Sequence, residues 1–223
     1  MTPTGAAIWD VDGTLVDTAE LHFRAWAELA GEIHKPFTRA DFAATFGRRN
    51  PEIIRAIFDP AASHAAVAEL GELKERIYRA AARREGISLL PGVRELLAGI
   101  QNLGWPQAVG SSAPRENLEL ILTVTDTREF FSAVVAAEDT TRGKPDPQVF
   151  QLAAAKLGVA ADRCVVFEDA VAGVAAAKAA GMKSVAVRFV GHHPAGALRA
   201  AGADRVVECL TEIRAEDVQR LIE

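Results

Sequence analysis

The sequence predicts an α/β protein, a doubly wound (Rossmann-like) parallel sheet core with a small all-helical domain inserted into it. Three observations predict it. Six short apolar runs recur along the chain, helical patterns separate most of them, and one long stretch after the first run carries helical signals and no strand.

The runs are Ala6 to Trp9, Gln107 to Gly110, Ala133 to Ala136, Cys164 to Phe167, Ser184 to Val187 and Arg205 to Val207. Their apolar character is continuous rather than alternating, which suits strands buried on both faces of a parallel sheet. Between them, Val93, Leu96, Leu97, Ile100 and Leu103 form a helical stripe after Pro91-Gly92. Asp146-Pro147 reads as an N-cap followed by a first-turn proline, opening a helix with Val149, Phe150, Ala153 and Leu157. The helix from Ala170 to Ala180 stops at Gly181, a natural C-terminal cap.

The exception to the alternation runs from about Asp17 to Arg84. Leu21, Ala25, Leu29 and Ile33 repeat along one helix face, and Thr38 caps a helix with Phe42 and Phe46 that Gly47 closes. Asn50-Pro51 and Asp59-Pro60 each read as a cap and a first-turn proline, and Val67, Leu70, Leu73, Ile77 and Ala81 mark a last, long helix. The expected division is residues 1–16 with 85–223 as the sheet core, and 17–84 as a helical domain at the strands' carboxyl ends, where open α/β sheets bind ligands.

With 223 residues, the chain can bury a sizeable core. The net charge of −5, without a run of Lys and Arg, gives no footprint for nucleic acid. No stretch has the length and apolarity of a membrane span, and Met1 to Gly5 does not read as the start of a signal peptide. The only cysteines, Cys164 and Cys209, point to no disulfide framework, so the expected location is the cytoplasm. The expected state is a monomer.

Chemistry-bearing residues gather at predicted strand ends. Asp10-Val11-Asp12-Gly13-Thr14 follows the first strand directly. A carboxylate needs no deprotonation at neutral pH and forms an acyl phosphate that water later cleaves. Its neighbour can then serve as acid for the leaving group and base for water. Asp-Gly is also ordinary turn chemistry. Ser111 and Ser112 end the second strand just before Pro114, where a hydroxyl and helix N-terminal N–H groups make a phosphate cradle. Arg142-Gly143-Lys144-Pro145-Asp146-Pro147 is a stiff loop presenting one lysine. Glu168-Asp169, at the end of the fourth strand, are adjacent acids that repel unless a cation sits between them, and such oxygen donors suit Mg²⁺.

These motifs, in this order, resemble those of the haloacid dehalogenase superfamily, and the resemblance covers nearly the whole chain through Gly173 and Ala180-Gly181-Met182. It implies Asp10 as nucleophile and Mg²⁺ ligand, and Asp12 as general acid/base with its carbonyl on the metal. Ser111 would bond the transferring phosphoryl group and Lys144 offset its charge. Asp169 would ligate Mg²⁺, with Glu168 a ligand or its partner. The intact Asp12 and the Glu168-Asp169 pair argue against the metal-free dehalogenase branch.

The insert resembles the helical cap of the β-phosphoglucomutase-like subfamily, from Asp17 through Trp26. The resemblance implies substrate contacts for His22, for Lys74 and for Arg49 or its neighbour Arg48; Ser112 joins them from the core. His22 and Trp26 also share a helix face, as packing residues would. Where the mutase has Gly followed shortly by Ser-Arg, this chain reads Gly47-Arg48-Arg49-Asn50. The expected activity is Mg²⁺-dependent hydrolysis of a small phosphorylated metabolite through an Asp10 phosphoenzyme. A phosphosugar mutase is the second reading, and a phospho-aspartate signalling module, which has no place for the helical insert, is the third. His192-His193 lacks an obvious acidic or cysteine partner in sequence and carries little weight as a metal site.

Overall fold

A computed structural model describes residues 3–223. The six strands are β1 (Ala6–Trp9), β2 (Gln107–Gly110), β3 (Ala133–Val135), β4 (Cys164–Glu168), β5 (Lys183–Val187) and β6 (Arg205–Val207). They form one parallel sheet in the order β3-β2-β1-β4-β5-β6. The expected runs are all there, with ends moved by a residue: β3 stops before Ala136, β4 extends to Glu168 and β5 starts at Lys183. Every residue of β1, β2 and β4 is buried, as a strand covered on both faces requires.

The chain winds outward from β1 in both directions, through β2 and β3 on one side and β4 to β6 on the other. The order therefore reverses between β1 and β4, where open α/β sheets leave a crevice at the strands' carboxyl ends. Register fixes what faces that crevice. Trp9 pairs with Phe167, their rings stacking at 3.9 Å between centroids. The Asp10 N–H then donates to the Phe167 carbonyl at 3.0 Å, which sets Asp10 beside the end of β4.

Among the described residues ten α-helices accompany the strands: α1 (Ala19–Glu32), α2 (Arg39–Thr45), α3 (Asn50–Ile53), α4 (His64–Glu85), α5 (Val93–Asn102), α6 (Arg115–Val124), α7 (Gln148–Leu157), α8 (Val171–Ala179), α9 (Ala195–Ala200) and α10 (Ala215–Gln219). A π-helical turn, Ile54–Phe58, prolongs α3. Val149, Phe150, Ala153 and Ala154 of α7 pack with Ile8, Ala108 and Val166 of the sheet. None of the described helices is long and apolar enough to cross a membrane.

The chain divides into two compact units, Met1–Asp17 with Ser88–Glu223, and Thr18–Ile87. The helical unit has its own core around Trp26, Leu29, Ala30, Phe42, Ile53, Ile54, Phe58 and Val67. Thr38 caps α2 as expected, exchanging hydrogen bonds with Asp41 in a capping box.

Three expected helix starts need correction. Asn50 is the first residue of α3 rather than its cap, because its side chain is drawn to the Glu75 carboxylate at 2.7 Å. Asp59-Pro60 opens no helix; Asp59 Oδ1 accepts from the Ala61 N–H in a local turn, and α4 waits for Ser63, which caps Ala66. The helix expected from Pro147 starts at Gln148, though Asp146 still caps it through the Gln148 N–H at 3.0 Å.

Gly92, which precedes α5, has φ +85°, and a Cβ there would meet the Thr211 backbone nitrogen at 2.5 Å. A Gly92→Ala chain carries both a left-handed backbone penalty and a clash with main chain that cannot swing aside. Urea unfolding is expected to show a loss of about 2–4 kcal/mol at unchanged slope.

Candidate active site

The β1–β4 pairing brings Asp10, Glu168 and Asp169 together, with one oxygen from each lying within 4.8 Å of the others. They are nearly closed to solvent, at 7%, 1% and 5% exposure. The Lys144 ammonium inserts between two of them, 2.6 Å from Asp10 Oδ1 and bonded to Glu168 Oε1. Glu168 Oε2 accepts from the Asp169 and Ala170 N–H groups at 2.9 and 2.8 Å. Three buried carboxylates thus converge around the Lys144 ammonium, which bonds two of them.

The turn after β1 is shaped by Gly13, whose φ of +84° lets the Leu15 and Val16 N–H groups fold back onto the Val11 carbonyl. A Cβ on Gly13 would overlap the Asp169 carboxylate, and one on Gly173 would overlap Glu168. Both glycines are therefore required by close approach to the acids. Just after β2, the Ser111 N–H donates to the Val135 carbonyl, and Ser111 Oγ accepts from the Ala113 N–H at 3.1 Å. That bond leaves the hydroxyl proton itself to donate. Ser112 is half-buried beside it.

Electrostatics follow from crowding. Burial is the largest influence on Asp10 and pushes its carboxyl up to about 7; Lys144 opposes this, while Glu168 and Asp12 add to it. Asp169 is also raised well above the ordinary carboxylate range, by burial and then by Glu168 and Asp10. Lys144 is raised by the two acids it touches, which outweigh its burial, so it stays protonated.

Asp169 Oδ2 is buried without a hydrogen-bond partner. An orphaned buried carboxylate oxygen costs well over 1 kcal/mol unless something compensates it. Together with the oxygen-only donors of Asp10 and Glu168, it fits a hard divalent cation. The Asp12 carboxylate is not one of the converging three.

In the helical unit, Lys74 Nζ lies 2.7 Å from His22 Nδ1 and 2.8 Å from Glu75 Oε1, itself also bonded to Asn50. Because the ammonium can only donate, His22 Nδ1 accepts and the ring proton sits on Nε2. His22 stacks on Tyr78 at 4.1 Å, and Lys74, 2% exposed, is 5.3 Å from the rings of both Trp26 and Tyr78. The packing reading of this face and its polar reading thus coexist. Arg49 is half-buried at the start of α3, whereas Arg48 is exposed. Sequence reasoning missed Glu75, the acid that balances Lys74; its only signal was an acid next to a lysine on an amphipathic helix.

A haloacid dehalogenase-like hydrolase family model matches residues 4–181. Among curated relatives, β-phosphoglucomutase of Bacillus subtilis (strain 168) is 37% identical over 188 residues, covering 82% of each chain. Hexitol phosphatase B of Escherichia coli (strain K12) is 34% identical over 218 residues, 96% of each. The crystal structure of a β-phosphoglucomutase from Clostridium difficile superposes with a TM-score of 0.87 over 98% of this chain and 96% of that one; at 24% identity it speaks to fold alone.

The charge crowding has a measurable sign. Between pH 4 and 7 the folded chain keeps a proton on Asp10 that the unfolded chain has released. The associated stability is complete below about pH 4 and lost as pH rises through about 7. In chelator, the urea midpoint is expected to fall between pH 5 and pH 8, and Asp10→Asn to flatten that slope.

Proposed function

Since this chain belongs to the haloacid dehalogenase-like hydrolase family, we propose that it hydrolyses a small phosphorylated metabolite, sugar phosphate-like, through a phosphoenzyme on Asp10 with Mg²⁺. The observation that carries the reading is Asp10 bonded to Lys144 within 4.8 Å of the Asp169 carboxylate, one of whose oxygens is orphaned. Relatives named for phosphatase activity support the hydrolytic outcome, among them hexitol phosphatase B.

In this mechanism one oxygen of Asp10 attacks phosphorus in line with the leaving alkoxide, and the P–O bond to the metabolite breaks as the acyl phosphate forms. Asp12 donates a proton to the departing oxygen. It then takes one from the water that attacks phosphorus, which returns Asp10 as carboxylate and releases inorganic phosphate. The Ser111 hydroxyl donates to a phosphoryl oxygen, with Ser112 beside it in the cradle. Lys144 stays charged throughout and offsets the negative charge shared by Asp10 and the phosphoryl group. Asp10, Glu168, Asp169 and the Asp12 carbonyl would hold Mg²⁺, which when bound neutralises charge on the phosphoryl group and the crowded acids.

Residues 17–84 we assign to substrate access and choice. His22, with its donor on Nε2, and Arg49 offer hydrogen bonds and charge suited to a polyhydroxyl phosphate, and Lys74 fixes the histidine's tautomer. The protein is read as a cytoplasmic monomer with no nucleic-acid or membrane partner. A β-phosphoglucomutase-type isomerase is the second reading, favoured by the 37% identity to the Bacillus enzyme.

Purified protein with Mg²⁺ and a panel of phosphorylated sugars, β-glucose 1-phosphate included, tests both readings. Free phosphate is expected, with loss of at least about a thousandfold in Asp10→Asn and abolition by EDTA. Glucose 6-phosphate without phosphate release would replace the phosphatase by the mutase. Wild-type turnover in Asp10→Asn would overturn both.

A further inference from the structure

Lys144 sits on a loop, yet its ammonium meets two buried acids at a side-chain exposure of 6%. A four-carbon flexible stem does not choose such a place by itself, since each free rotamer costs entropy to fix. The main chain that carries it must be held. One end of the loop is anchored by α7, where Val149 and Phe150 are buried against the sheet. The other end, Thr141-Arg142, lies in no strand or helix itself; it follows the 3-10 turn Ala137–Asp139, and the exposed Arg142 Nε pairs with Asp146 Oδ2 at 3.0 Å.

The Gln148 side chain holds that end. From the first residue of α7 its Oε1 reaches back and accepts three hydrogen bonds. They come from the Thr141 N–H at 2.9 Å, the Arg142 N–H at 3.1 Å and the Thr141 hydroxyl at 3.2 Å. Inside that bracket the Asp146 N–H donates to the Gly143 carbonyl at 3.0 Å, and Asp146 Oδ1 accepts from the Gln148 N–H. The seven-residue loop Thr141–Pro147 is thereby closed on itself, with Lys144 at its middle. Nothing in these bonds touches the acids, so Gln148 acts only through the lysine.

We propose that Gln148 is a positioning residue for the reaction: its side-chain oxygen clasps the Thr141–Pro147 loop shut and so keeps the Lys144 ammonium on Asp10 and Glu168. The inference rests on the reading above only in giving Lys144 a role in turnover; the clasp itself is geometry. Its chemical requirement is an acceptor of glutamine length. Gln148→Met keeps the length and removes the acceptor, while Gln148→Glu keeps both.

The test compares these two variants and Lys144→Met with the wild-type protein on whichever phosphate ester it turns over. A second readout without substrate or metal is the rate at which acetic anhydride acylates Lys144, followed by peptide mass spectrometry. Gln148→Met is expected to lower kcat roughly tenfold with KM within about twofold, and to acylate at Lys144 roughly tenfold faster as the loop opens. Gln148→Glu is expected to stay near wild type on both counts. Wild-type kcat and labelling in Gln148→Met would overturn the clasp, as would a Gln148→Glu variant damaged as badly as Gln148→Met. Should Gln148→Met fail to fold by circular dichroism, Gln148→Ala takes its place with the same expectations. Wild-type turnover in Lys144→Met would sink the role of the lysine, and the labelling ratio would then decide the clasp alone.

Discussion

The interaction on which the rest depends is the Lys144 ammonium shared between Asp10 and Glu168. Burying carboxylates so close together is unfavourable in a medium that screens poorly, and one cation does not balance them. The fold meets this by devices that are all local to the carboxyl end of the sheet. Lys144 supplies charge, the Asp169 and Ala170 N–H groups supply dipoles to Glu168, and the cost left over falls on Asp10 and Asp169 as a reluctance to ionise. Oxygen donors crowded in this way fit a hard divalent cation, which would relieve the imbalance.

What makes the arrangement reproducible is register rather than any single strong bond. The Trp9 and Phe167 rings stack across β1 and β4, and Trp9 Nε1 is tied to Gln107, whose amide in turn reaches the Leu97 carbonyl. A slip of one residue in this parallel pair would turn Asp10 into the core and present Trp9 to the crevice. Catalytic placement and core packing are thus one problem. The glycines at 13 and 173 complete the solution by carrying no Cβ where one would overlap Asp169 and Glu168.

Much of this was legible in the sequence, and for a physical reason. Strands buried on both faces must be continuous apolar runs, so the six strands and their flanking acids could be read directly, and with them the place of Asp10, Glu168 and Asp169. Helix starts were read less well. Asp59-Pro60 and Asn50-Pro51 carry the same residue types in a turn and in a first helical residue as in a true cap, and the choice depends on partners such as Glu75, far away in the chain. Gln148 was invisible for the same reason. An amide at a helix start has no signature until the loop it holds has been folded around it. Glu75 shows the opposite failure, a residue whose neighbour Lys74 was singled out while its own role required knowing which acids are buried.

The chain leaves its sheet unit once, after Asp17, and returns once, at Ser88. The converging acids, their lysine and its clasp are all encoded outside that segment, and the helical unit has an apolar core of its own. Genetic change in the inserted stretch can therefore proceed without altering any of the converging residues. Duplication followed by drift in that one contiguous block would leave the converging acids and their lysine untouched in every descendant.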